Sequence, residues 1–181
     1  MLDHALLMKE LRQWSADTIE KPQKKFNNLP ACPFAKNSWD KKRVNVIQSK
    51  CNSWFDLMDT ILNFDDNYDV VIYCGTDYDI IDVNEFEDRV HLLNEVSNSL
   101  DIYIMGSHPD TVIDFASEAN EDFEELLDED YYVLYVQRLE YLIKASDNIL
   151  KKGYYKNYSA KDLSDQITDR RKLWQAKRKK Q

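Results

Sequence analysis

The chain has 181 residues, 43% hydrophobic and 31% charged, and its 33 acidic against 24 basic side chains give a formal net charge of −9. That length supports one domain with a substantial core. An acidic body disfavours nucleic acid as a general partner, since such binding rests on basic neutralisation of phosphates, and no apolar run approaches the ~20 residues of a bilayer span.

The opening stretch, MLDHALLMKELRQW, has no basic region leading into an apolar core, so no secretory signal is expected and the expected location is cytoplasmic. Cys32, Cys51 and Cys74 are odd in number and lack C-x-x-C spacing. Reduced thiols are therefore expected rather than a disulfide framework, and the spacing is not of a metal-binding type.

Residues 1–20 predict an amphipathic helix, with Leu2, Ala5, Leu6, Met8, Leu11 and Trp14 as its apolar stripe. Pro22 and the polar KPQKKFNN end it. An irregular loop, PACPFAKNSW, follows. Val44, Val46 and Gln48 alternate with Ile47 across RVNVIQ, which predicts a strand. Residues 52–64 predict a helix capped by Asn52 or Ser53, with Trp54, Leu57, Met58, Ile61 and Leu62 inward.

DVVIYCG, 69–75, is a continuous apolar run between polar turns, as in a strand buried on both faces. Residues 82–100 predict a helix with Phe86, Val90, Leu93 and Val96 inward, and DIYIMG, 101–106, a third strand. A fourth strand is expected near 77–83, in DYDIIDV. Residues 131–153 predict one long helix closed by Gly153, and 159–178 a more polar helix capped by Ser159, running into a basic tail.

Alternating strands and helices predict an α/β fold (or α+β). The sheet would have three or four strands, mostly parallel or ferredoxin-like, within a single domain spanning 1–181 and flanked by N- and C-terminal helices.

Two loops carry candidate chemistry. Pro30 and Pro33 stiffen the bend around Cys32. A helix starting at Pro33 would make Cys32 its N-cap and lower the thiol pKa, with Lys36 adding positive charge about one turn later. His108 follows the third strand, where function collects in α/β sheets. Pro109 holds His108 in extended backbone, and Asp110 is placed to orient the ring. A Cys32 nucleophile with His108 as base, Asp110 as orienter and Lys36 binding an anionic substrate group is a coherent site. Two ligands at unpatterned spacing make only a weak metal site. Against this stand a packed Cys32 and a structural His108.

LPACPFAK, then strand, helix, buried strand, helix and a strand ending before HPD, resembles an uncharacterised bacterial family of unknown function whose members carry CPFAK near the N-terminus and HP after a late strand. The similarity spans residues 20–150. The resemblance places the family signature on Cys32, Pro33, Phe34, Ala35 and Lys36, then on His108 and Pro109. The chain departs from it afterwards: DTVIDF and DEDYYVLY lack the family's later arginine and prolines. No activity comes with the resemblance.

Two functional readings follow. One is a small-molecule enzyme, hydrolase or transferase, using Cys32 and His108 with no cofactor specified. The other is a non-catalytic binding protein that contacts a protein partner through the acidic segment 117–132. Nucleic acid enters only through the basic tail, 170–180.

Overall fold

The structure, a computed structural model, describes residues 3–49, 54–75, 81–110, 131–157 and 167–178. Helix α1 runs His4–Trp14, with the Asp3 carboxylate accepting from the Ala5 N–H, and passes into a π turn at Ser15–Ile19. Strands β1, Pro22–Gln23, and β2, Leu29–Pro30, pair as a short antiparallel hairpin. Helix α2 is Ala35–Asp40, strand β3 Val44–Ser49, helix α3 Phe55–Leu62 and strand β4 Val70–Gly75. Helix α4, Val83–Ser97, is capped by Asp82, and strand β5 is Ile102–Ser107. Strand β6 is Tyr132–Arg138, helix α5 Leu139–Leu150 and helix α6 Asp169–Arg178. No helix among the described residues is long and apolar enough to cross a membrane.

The fold is α/β. The main sheet has the order β3-β4-β6-β5, with β3 parallel to β4 and β6 antiparallel to both its neighbours. Three strands therefore run one way, and the fourth is inserted against them. Both strand-helix-strand crossovers move in the same direction along the sheet. Connections of one hand then put α3 and α4 on the same side.

On that side Leu57 and Ile61 of α3 and Phe86 and Leu93 of α4 pack on Val71, Tyr73, Ile102, Ile104, Tyr132, Leu134 and Val136. On the other side Leu7 and Leu11 of α1 pack on Val44, Val46, Ile72, Cys74 and Val133. Helix α6 lies there too: Arg170 stacks over Tyr103 and reaches the Met105 sulfur, and these two residues alternate with Ile102 and Ile104 along β5. Each buried aliphatic side chain contributes about 1.5–3 kcal/mol, so the sheet is held from both sides.

Several expectations are corrected. Residues 131–153 are not one helix but β6 followed by α5. The run Tyr132–Val136 fits a strand buried on both faces as well as a helix. The α4 crossover skips one place in the sheet, and β6 fills it. The fourth strand of the sheet is 132–138; of the expected 77–83, Ile81 is buried outside any strand, and 77–80 lie outside the described residues. The sheet has the four strands at the upper end of the expectation, covered by helices, and the strand inserted antiparallel between two parallel ones makes it mixed.

The α1 stripe is rotated from its predicted position. Leu7 and Leu11 are buried, while Ala5 and Leu6 are exposed. Gly153 does take the left-handed conformation expected past a helix end, with φ +74°. The predicted caps at Asn52, Ser53 and Ser159, Cys51, and the acidic stretch up to residue 130 lie outside the described residues.

Two side chains complete the sheet. Gly75 lies opposite Tyr132, and a Cβ there would sit 2.1 Å from the tyrosine ring, so only glycine lets the ring cross the strand. Asn94 of α4 donates to the Ile104 carbonyl and accepts from the Ile104 N–H, both at 2.8 Å, along the outer edge of β5.

Candidate functional site

His108 follows β5 directly. Its ring is tilted against Phe86 at 5.3 Å, and its side chain has no exposed surface. The Asp110 N–H donates to Nδ1 at 3.2 Å, so Nδ1 is an acceptor and the proton sits on Nε2, which donates to the Ile81 carbonyl at 2.9 Å. Both ring nitrogens are thus engaged in holding the turn after β5. The Asp110 carboxylate is 69% exposed and stands 4.0 Å from Nδ1; the backbone of Asp110, not its carboxylate, orients the ring. The ring of the expected general base is thus buried, and its two hydrogen bonds tie together the residues around a strand end.

Cys32 lies after the β1–β2 hairpin. Its N–H donates to the Ile19 carbonyl and its carbonyl accepts from the Ala35 N–H, each at 3.2 Å. This turn, not Pro33, leads into α2, whose N-cap is Phe34. Crowding by protein atoms pushes the thiol pKa up; hydrogen bonds from the Phe34 and Ala35 N–H groups pull it down by less, and Glu20 raises it further. The N-cap idea is therefore half right, since N–H groups do face the sulfur, but desolvation outweighs them. The residue as a whole is exposed. Lys36 is exposed on α2, on the same side of the molecule as Cys32.

The sheet separates these residues. Cys32 is tied to the π turn after α1, and the phenol of Tyr135, which packs in the α1 cluster, feels its charge. His108 and its contacts Ile81 and Phe86 belong to the α3–α4 side. The structure brings His108 and Asp110 together, but leaves Cys32, and the α2 residue Lys36 that follows it in the chain, on the other side of the sheet. Among the described residues no group of three or more His, Cys, Asp or Glu could hold a metal ion.

The crossover helices also carry exposed apolar side chains, Phe55 at the start of α3 being 83% exposed. Leu62 is 62% exposed, Leu92 58% and Val96 53%, although Leu62 and Val96 were expected inward. The correction has a cause in α4. Asn94 and Ser97 face the sheet because Asn94 bonds the Ile104 backbone, and the Ser97 hydroxyl donates to the Leu93 carbonyl at 2.6 Å. Their polar side chains occupy the inward stripe with Phe86 and Leu93, and this turns Val96 outward.

Arg89 shows where this stripe points: it stacks over Trp54, at the start of α3, at 5.4 Å. Leu92 and Val96 follow Arg89 by three and seven residues, so they share its side of α4, toward α3. On α3, Met58 and Leu62 follow Trp54 by four and eight and lie on the matching side. The two backbones make few close approaches to each other. The spacing therefore turns Met58 and Leu62 of α3 toward Leu92 and Val96 of α4 across a furrow between the helices, with Met58 itself partly buried against the core. Asp59, Asp88 and Glu95, all exposed, stand on its outer rims, and Glu85 is engaged with Arg89 at one end. The residual signal in the sequence was an excess of apolar positions over what one helix face can bury.

No family model, curated protein or solved structure matches this chain.

Proposed function

We propose that this chain is a non-catalytic binding protein that docks a protein partner on its α3–α4 side. The reading rests on the exposed row of Leu62, Leu92 and Val96 on the two crossover helices. Exposed apolar side chains scattered singly are ordinary, but a row on facing helix walls rimmed by charge has the anatomy of an interface. A thiol–imidazole enzyme is the weaker reading, because His108 has both nitrogens engaged and Cys32 has a raised thiol pKa on the other side of the sheet. Kinship with the uncharacterised CPFAK family stays a proposal resting on the two short motifs.

A photo-crosslinking residue placed at Leu92, and in a second protein at Leu150 on α5, tests the docking side. The expected result is a discrete protein adduct at position 92 that disappears with Leu62→Ser and is absent at position 150. Equal adducts at both positions, or none, reject the reading. Residue-resolved alkylation against pH tests the alternative. A Cys32 midpoint above the ordinary thiol value of 9.0 is expected, and one near neutrality would restore the enzyme.

A further inference from the structure

We infer that the occupant of the α3–α4 furrow is a basic amphipathic helix of a partner protein, an inference that rests on the docking reading above. By helical spacing the walls are stripes of aliphatic side chains, the exposed Leu62 facing the exposed Leu92 and Val96 above a partly buried Met58. This is the form taken by grooves that receive the apolar face of a helix at i, i+3, i+4 and i+7. An extended strand would need an unpaired sheet edge, and helix walls offer none.

Charge selects among occupants. Asp59, Asp88 and Glu95 are exposed beside the furrow, Glu95 with the His91 ring 3.5 Å away, and the nearest guanidinium, Arg89, is already engaged with Glu85 and Trp54. A second copy docking through the same furrow would bring these carboxylates against themselves, and like charges across an interface cost several kcal/mol. An anionic lipid surface or a nucleic acid meets the same repulsion. A helix with Lys or Arg flanking a Leu-rich stripe satisfies both features: its apolar stripe covers the four aliphatic side chains, and its cations reach the rim. The rim contacts are solvent-exposed, so they govern encounter and salt dependence more than residence time. The core of the affinity is the burial of Leu62, Leu92 and Val96.

The probe is a synthetic helical peptide with leucines at i, i+3, i+4 and i+7 and lysines on its flanks. Two controls are the same residues scrambled and the same pattern with glutamate replacing lysine. Fluorescence anisotropy with the full chain is expected to show binding of the basic helix alone, weakening about tenfold or more between low and high salt. Leu92→Ser and Val96→Ser are each expected to weaken it about tenfold, with circular dichroism unchanged because both positions are exposed. Equal binding of the scrambled or acidic peptide overturns the inference, as does indifference to Leu92→Ser. So does a dimer that Leu92→Ser dissolves, or binding to anionic vesicles. An adduct at position 92 together with no peptide binding rejects the basic helix while keeping the docking side; no adduct rejects both.

Discussion

On the α3–α4 side the helices are fastened to the sheet by packing and one amide. Trp54 stacks on Tyr132 at 6.2 Å, Phe86 tilts against Tyr132 at 5.4 Å, and Asn94 holds β5. On the opposite side ion pairs are prominent. Arg12 meets Glu20 at 2.6 Å, Arg43 meets Asp69 at 2.7 Å, Lys177 meets Asp101 at 2.8 Å, and Arg171 pairs with Asp147. Two cations of the basic helix α6, Arg171 and Lys177, are thus paired within the molecule, with acids of α5 and of β5's approach. The carboxylates of α3 and α4 have few cations on their own helices and are left facing outward. The same chain gives one side its internal fasteners and the other its outward charge. That is why the acidic net charge bears on binding through a particular surface rather than through the whole body.

Substitutions that strike one side at a time sharpen this contrast. The largest effect is expected from Gly75→Ala, which forces the Tyr132 ring out of its place among Trp54 and Phe86. Urea denaturation should show a loss of about 3 kcal/mol; a loss under about 1 kcal/mol would mean the aromatic stack is not what holds that side. On the opposite side, Cys74→Ala is expected to cost about 1 kcal/mol at neutral pH.

The same substitution should also change the alkaline limb. Burial raises the Cys74 thiol from 9.0 to about 12. In the unfolded chain it ionises near the ordinary value, so its contribution is intact below pH 9 and declines as pH rises toward 12. The phenols of Tyr131 and Tyr135 are raised from 10.0 by the same burial, and act in the same direction. Thermal melts between pH 8 and pH 11 should therefore fall more gently in Cys74→Ala than in the parent. An identical slope would show that the thiol ionises freely in the folded chain. The smallest effect is expected from Lys177→Ala. Its pair with Asp101 is partly buried, with side chains 19% and 18% exposed, and its loss should cost about 0.5–1 kcal/mol. Hydrogen exchange should localise that loss to α6 and leave α3 and α4 unchanged.

The strand at 44–49 was readable from its alternation, and those at 70–75 and 102–107 because short apolar runs lay between polar turns. Strand β6 was not, because Tyr132–Val136 is apolar at every position and carries no period. The phase of α4 escaped for the opposite reason. Asn94 and Ser97 look like solvent residues, and only the edge of β5 reveals why they turn inward. For the candidate site, the sequence identified the strand-end position of His108. It could not tell which side of the sheet the Cys32 loop would take, since that depends on α1 closing over Val44 and Val46.

Asn94 has a consequence beyond holding α4. An outermost strand offers a ladder of open amides to any passing chain. Here the carboxamide of Asn94 imitates one rung of a missing neighbour, donating and accepting as a strand would. The molecule thus wears a single-residue counterfeit of another strand, and fibril-like stacking through β5 must first evict it.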